Sequence, residues 1–254
     1  MSDNKSRVAV VTGGGSGIGA AVAEQLSTAG HRVAVLDLNT ANAEAVAASI
    51  RDAGGEAIGL TVDVADRTSV DKAVGQVREK FGPIEILVTS AGVDAQTPYA
   101  DISGDEWNRV IGINLTGTFN ATQSIIPDMQ AGGWGRIVTI SSSSAQSGGP
   151  DRAHYIASKG GVIALTKALA FDFSPQGITA NTIPPSIIAT PMADTAVQAG
   201  LLPKLDDLAM MTPVRRTGLP EDIAAAAVFL CSEQAGFITG QVIGVNGGWY
   251  IGPA

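Results

Sequence analysis

Short apolar runs rich in β-branched residues recur along the chain, with stretches of helical length between them. The runs fall at Val8–Thr12, His31–Asp37, Ala57–Val62, Ile84–Thr89, Arg136–Ser141, Ile178–Thr182 and Gln241–Val245. Runs that are apolar at consecutive rather than alternate positions belong to strands buried on both faces, as in a parallel sheet covered by helices on either side. The intervening segments close as helices do. Gly17–Ala29 ends at Gly30, Thr40–Ala53 at Gly54-Gly55 and Thr68–Phe81 at Gly82-Pro83, each placing glycine where a helix cap turns left-handed. The pattern predicts an α/β fold built on a doubly wound, seven-stranded parallel sheet, with Ile223–Cys231 as a buried helix. Thr190–Leu219 breaks the rhythm, with three prolines and no strand pattern. A long strandless segment in a compact domain is commonly a lid or binding element, so this segment is the candidate substrate loop.

With 254 residues and no internal repeat, low-complexity tract or linker, the chain is expected to form a single domain over 1–254. The formal charge of −8 offers no positive field for a phosphate backbone, so nucleic acid is not an expected partner. Cys231 is the only cysteine. No intramolecular disulfide or multi-cysteine metal site can form, no metal is expected, and a reducing, cytoplasmic address fits. Met1 to Arg7 are polar, and no stretch approaches the roughly 18 apolar residues that would cross a bilayer.

Directly after the first strand comes Thr12-Gly13-Gly14-Gly15-Ser16-Gly17-Ile18-Gly19, followed by the helical Ala20–Leu26. Glycines let backbone approach a pyrophosphate closely, and a helix N-terminus offers N–H groups and partial positive charge to an anion. A glycine run alone is weak; a strand before it and a helix after it make it a dinucleotide-binding loop of Rossmann type. Asp37 stands about 20 residues beyond Gly17 at the end of the next strand, where a carboxylate accepts both hydroxyls of an adenosine ribose. That carboxylate repels a 2′-phosphate, and neither the glycine loop nor Leu38-Asn39 supplies a basic side chain to receive one. NAD is therefore expected over NADP. Asp63, in Val62-Asp63-Val64 at the end of the third strand, is placed to lie beside the adenine, although a helix N-cap would look the same in sequence.

Tyr155 and Lys159 stand four apart in a segment of helical apolar spacing, Arg152–Phe173, so both side chains share one face. A phenol titrates near pH 10 and needs a nearby cation to exchange protons at neutral pH, a role that falls to Lys159. Ser142, 13 residues before Tyr155 at the end of a strand, can hold a substrate oxygen. The pair Tyr-x-x-x-Lys is ordinary by itself and becomes persuasive beside a dinucleotide loop on a parallel sheet.

With these residues the chain resembles the short-chain dehydrogenase/reductase family over essentially its whole length. Thr12 to Gly19 match the family's glycine motif, Ser142 its serine, Tyr155-Ile156-Ala157-Ser158-Lys159 its Tyr-x-x-x-Lys, and Asn114 its fourth catalytic residue. The resemblance implies that Asn114 holds a water relaying protons to Lys159. It also implies that Ser90, Ala91, Gly92 and Val64 border the cofactor and that Pro185, Ile188 and Thr190 lie near the nicotinamide. Two positions depart from the family. Ser90 replaces an asparagine that steadies the central sheet, and Ser186 replaces a glycine after the sixth strand. The ending Thr239 to Gly248 resembles the family's last strand, which packs across subunits in its common tetramers, and so implies a homotetramer.

The expected chemistry is NAD-dependent interconversion of a secondary alcohol and a ketone. Tyr155 is the acid/base, Ser142 orients the oxygen, Lys159 lowers the phenol pKa and grips the ribose, and Asn114 supports the relay. Met192, Val197, Leu201, Leu202, Met210 and Met211 either pack the substrate loop onto the domain or a neighbouring subunit, or give it an apolar inner face, and hence a hydrophobic small molecule as substrate. Asp94, Gln96, Gln146 and His154 are candidates for its rim, His154 being read first as structural. Three alternatives remain: a 3-oxoacyl-acyl-carrier-protein reductase, a non-catalytic dinucleotide sensor, and a nucleotide-sugar epimerase or dehydratase. Asp37 and the acidic balance weigh against the first. An intact Tyr155 and Lys159 weigh against the second, and the absence of a C-terminal substrate domain weighs against the third.

Overall fold

The computed structural model describes residues 5–252; the ends of the expected domain and of its polar N-terminus, 1–4 and 253–254, lie outside the described residues. The first half alternates strictly between strand and helix: β1 (Val8–Thr12), α1 (Gly17–Thr28), β2 (Arg32–Asp37), α2 (Thr40–Asp52), β3 (Ala57–Thr61), α3 (Arg67–Phe81) and β4 (Ile86–Thr89). Then come α4 (Gly104–Ile111), a π-turn over Gly112–Thr116, α5 (Gly117–Gly132), β5 (Gly135–Ile140), the short α6 (Ser144–Ser147), the long α7 (Ala153–Phe173) and β6 (Ile178–Ile183). The chain finishes with α8 (Pro191–Gln198), α9 (Leu205–Met211) and α10 (Pro220–Leu230).

All strand pairs are parallel, and the six strands lie in the order β3-β2-β1-β4-β5-β6. Alternation along β1 assigns the two cores. Ala9 and Val11 face one side, packed with Val22, Leu26, Ala47, Ile50, Ile223 and Leu230 from α1, α2 and α10. Val8 and Val10 face the other, with Val74, Val77, Ile125, Met129 and Leu169 from α3, α5 and α7. Strands buried from both sides show the consecutive apolar runs seen in the sequence. The winding direction reverses between β1 and β4, which opens a crevice at the carboxyl ends of these strands.

The expected seventh strand is corrected to six. Gln241–Val245 does run beside β6: Gly240 N–H donates to the Ala180 carbonyl, Thr182 N–H to Gln241 and Ile243 N–H to Thr182. Yet Thr182 with Val242 is the only ladder pair between these segments among the described residues. The contact is cut short on both sides, by Gly240 in the left-handed region and by the turn at Gly247 and Gly248, both with positive φ. The apolar run is helical from Ile223 to Leu230 with Cys231 as its cap, but it is buried on one face only, Phe229 standing 47% exposed, and the strandless Thr190–Leu219 segment holds α8 and α9.

Candidate active site

β1 ends at Thr12, and the chain turns through three glycines into α1. Gly13 adopts φ 64°, and a Cβ there would lie 2.6 Å from the backbone of Ala91, so only glycine lets the loop rest on the end of β4. A Cβ on Gly15 would lie 2.8 Å from the Asp37 carboxylate, and the Gly15 N–H donates to Asp37 Oδ2 at 3.0 Å. Asn39 N–H donates to the other carboxylate oxygen at 2.9 Å. Ser16 occupies the N-cap position of α1 without a side-chain capping bond.

The crevice above this loop is a cavity of about 550 Å³. Its walls include Gly13, Ser16, Gly17, Ile18, Asp37, Leu38, Asp63, Val64, Ser90, Ala91, Gly92 and Thr190. Of the residues expected around the ring system and phosphates, Gly15 and Gly19 are off the wall, serving the loop's own packing. Asp63 is not the cap of α3: Asp66 accepts from Thr68 N–H in that role, while Asp63 accepts from Ala65 N–H at 2.9 Å and borders the crevice. A glycine cradle that any Cβ would fill, a helix N-terminus and a carboxylate at the end of the second strand fit a dinucleotide.

A second cleft of about 180 Å³ adjoins the first, and Ile18, Ser90, Gly92, Val93, Thr190 and Met192 face both. Ser142, just past β5, and Tyr155 and Lys159, on successive turns of α7, line it together with Pro185, Ile188 and Ser186. Ser144 N–H donates to Ser142 Oγ at 3.2 Å. Lys159 Nζ donates to the Ile140 carbonyl at 2.9 Å, which pins the ammonium at the end of β5. Burial drives its pKa down to about 8, with Asp94 opposing.

Tyr155 departs from expectation. Its phenol is pushed up by burial first and by the Asp94 carboxylate second, with the Ser142 hydrogen bond and Arg152 pulling the other way. Lys159, 6.0 Å from the Tyr155 ring centroid, does not govern the shift. A helical spacing of four brings the pair onto one face and says nothing of how much desolvation the phenol suffers.

Asn114 lies behind the cleft, fully buried in the π-turn. Its Nδ2 donates to the Val93 carbonyl and to Ser158 Oγ, both at 3.0 Å, and its Oδ1 accepts from Val93 N–H at 2.8 Å. A Cβ on Gly92 would be 3.1 Å from Asn114 Oδ1 and 3.3 Å from Lys159 Nζ, so the two groups flank the same glycine. The two departures from the family pattern resolve simply. Ser90 N–H donates to the Thr12 carbonyl and continues the β1–β4 pairing. Ser186 has no positive φ, so its site does not demand glycine, and its Oγ donates to the Asn246 carbonyl at 2.9 Å.

The Thr190–Leu219 segment contributes fewer residues to the cleft than expected. Met192, Ala193, Ala196 and Leu202 line the cleft, and Leu201 lines a neighbouring groove with Gln96. Val197 faces neither, and Met210 and Met211 are exposed. His154 is fully buried with Nε2 3.4 Å from Glu106 Oε1, a structural position. Gln146 does not reach the cleft, whereas Asp94 does. Sequence reasoning missed Arg152, whose guanidinium stacks 4.4 Å from the Tyr155 ring centroid. Its place three residues before Tyr155 is the signal that could have found it.

A family model described as Enoyl-(Acyl carrier protein) reductase matches residues 13–250. D-threitol dehydrogenase of Mycolicibacterium smegmatis is 40% identical over 245 residues, covering 96% of this chain and 93% of the relative. Acetoacetyl-CoA reductase of Rhizobium meliloti is 39% identical, with 97% and 99% covered. The 3-oxoacyl-(acyl-carrier-protein) reductase of Haemophilus influenzae is 35% identical over the same shares. Among solved structures, that of gox2181 superposes with a TM-score of 0.91 at 33% identity, covering 96% of each chain.

Proposed function

From the premise that the chain belongs to the short-chain dehydrogenase/reductase family, we propose that it is an NAD(H)-dependent oxidoreductase interconverting a secondary alcohol and a ketone on a small molecule. The observation that carries this reading is the convergence of Ser142, Tyr155 and Lys159 on one cleft that opens into the dinucleotide crevice. The whole chain acts as one catalytic domain, with 190–219 as the substrate loop. When bound, the nicotinamide supplies the hydride acceptor or donor. Gly13, Ser16, Gly17 and Ile18 would hold its pyrophosphate and Asp37 its adenosine ribose. Asp63 and Val64 would border the adenine, and Ile188 and Thr190 the carboxamide.

The substrate oxygen sits between Ser142 Oγ and Tyr155 Oη. In ketone reduction Tyr155 gives its proton to the carbonyl oxygen as charge develops there, and in alcohol oxidation it takes the hydroxyl proton back. A phenol whose pKa is raised is ready for the first step at neutral pH and must ionise for the second. Lys159, held by Ile140, would grip the nicotinamide ribose and steady the phenolate as it forms. With a pKa near 8 it can also return the proton. Asn114 would act through Lys159, the two flanking Gly92. Met192, Ala193, Ala196 and Leu202 would receive an apolar part of the substrate.

Two features support NAD over NADP: the Asp37 carboxylate at the crevice wall, and the absence of a basic side chain in the glycine loop and at positions 38 and 39. Cys231, with no second cysteine in the sequence to pair with, suits a reducing, cytoplasmic address. The exposed Phe171 and Phe237 suit a homotetramer assembled near the C-terminal segment. A second reading, reduction of a 3-oxoacyl thioester, is favoured by the names of two relatives. The deciding assay follows NADH and NADPH consumption and formation across secondary alcohols, ketones and 3-oxoacyl thioesters. A thioester rate that dominates the panel, or a preference for NADPH, replaces the first reading with the second. Silence throughout with NADH bound leaves only a sensor.

A further inference from the structure

The polar wall of the catalytic cleft is an ion pair. Arg152 Nε donates to Asp94 Oδ1 at 3.1 Å and Nη2 to Asp94 Oδ2 at 2.6 Å, a fork on a carboxylate. Both side chains are partly exposed into the cleft, at 20% and 26%. The guanidinium stacks on the Tyr155 ring at 4.4 Å, and its Nη1 donates to Ser144 Oγ at 3.2 Å, two residues from Ser142. The backbone holds this arrangement on both sides. Asp151, immediately before Arg152, has φ 54°, a conformation that costs a non-glycine residue energy. Its carbonyl accepts from Thr97 N–H at 2.7 Å, tying the segment that follows Asp94 to the segment that carries Arg152.

The pair has capacity left over. The guanidinium retains N–H donors beyond those given to Asp94 and Ser144, and the carboxylate retains lone pairs beyond those taken by Arg152 and by Ala95 N–H. A donor and an acceptor side by side match a hydroxyl, which both gives and accepts. An anionic group is poorly served, because Asp94 already neutralises Arg152 and repels a second negative charge.

Resting on the oxidoreductase reading above, we propose that Asp94 and Arg152 are specificity-determining residues that bind a second hydroxyl next to the reacting carbon, so that the substrate class is a neutral vicinal diol or its α-hydroxyketone. The alkyl remainder lies against Met192, Ala196 and Leu202. A hydrogen bond to a charged partner gained in the transition state is expected to raise kcat/KM for the diol at least about tenfold over the matched mono-alcohol.

The test measures initial rates, with NAD and with NADP, on butane-2,3-diol against 2-butanol and on 1,2-cyclohexanediol against cyclohexanol. Two variants are compared with the parent. Asp94→Leu/Arg152→Met removes both charges together, so neither is left unpaired, and NADH binding by fluorescence reports whether it folds. Asp94→Asn leaves the guanidinium uncompensated. The expected results are a diol preference of at least about tenfold in the parent that falls towards unity in the double variant, and in Asp94→Asn a gain of about fivefold or more for 3-hydroxybutyrate relative to the diol. Equal rates on diol and mono-alcohol, or a preference that survives both variants, overturn the proposal and leave the oxidoreductase reading standing. No turnover of any alcohol with either cofactor, with NADH bound, overturns both.

Discussion

Asn114 donates to Ser158 Oγ at 3.0 Å, and Ser158 donates in turn to the Tyr155 carbonyl at 2.7 Å. The π-turn is thereby bonded to the first turns of the helix that carries Tyr155 and Lys159. The same amide satisfies both the N–H and the C=O of Val93, beside the cleft. Replacing it by Asn114→Ala leaves several buried polar groups unpaired, at a cost of about 2–4 kcal/mol. Urea unfolding should show that loss. With the roles proposed above for Lys159 and Tyr155, the pH profile of kcat should move as well, which a purely structural loss would not produce.

Tyr155→Phe removes the phenol that lines the cleft while keeping the ring on which Arg152 stacks. Turnover should fall by about a hundredfold to ten-thousandfold, the range of a lost general acid/base, with NADH affinity nearly unchanged. Stopped-flow or fluorescence titration separates the two quantities, and retained turnover would remove Tyr155 from the chemistry.

Asp37 accepts from Gly15 and Asn39 and stands at the wall of the crevice. In Asp37→Ala the carboxylate that should bind one cofactor and repel the other is gone. The ratio of kcat/KM for NAD to that for NADP is expected to drop at least about tenfold, equivalent to the loss of one charge-assisted interaction. A ratio that does not change would place cofactor choice elsewhere.

Burial holds the Lys159 ammonium at about 8 against its ordinary 10.5. The native state sheds this proton before the unfolded chain does, so between those values the unfolded state binds more protons and stability rises with pH. Below about pH 8 both states are charged, and the native state bears a desolvation cost on the order of 3 kcal/mol. Lys159→Met abolishes the titration. The unfolding free energy of the parent minus that of the variant should therefore climb between pH 8 and 10.5. A flat difference across that window would show that the ammonium is not desolvated.

The six strands and the glycine loop were legible because their signals are local. Apolar runs mark strands, and the strand–glycine–helix order marks a phosphate site. The seventh strand misled for the same reason: Gln241–Val245 carries the right residues, but Gly240 and the Gly247-Gly248 turn decide how many of them can pair. The Asn114 turn has no sequence signature, since its geometry depends on Val93 and Ser158, 21 and 44 residues away. Arg152 and Asp94 are 58 apart, so their pairing is visible only once β4 and α7 are brought together. The phenol of Tyr155 was misjudged because spacing reports proximity to Lys159 and is blind to burial.

The contact between Gly15 and Asp37 makes two positions behave as one. Any side chain at position 15 would begin 2.8 Å from the Asp37 carboxylate, so a basic residue installed there to meet an extra phosphate would first have to displace that carboxylate. A basic side chain at position 15 is therefore tied to the fate of Asp37, whereas Leu38, 70% exposed on the same crevice wall, carries no such constraint.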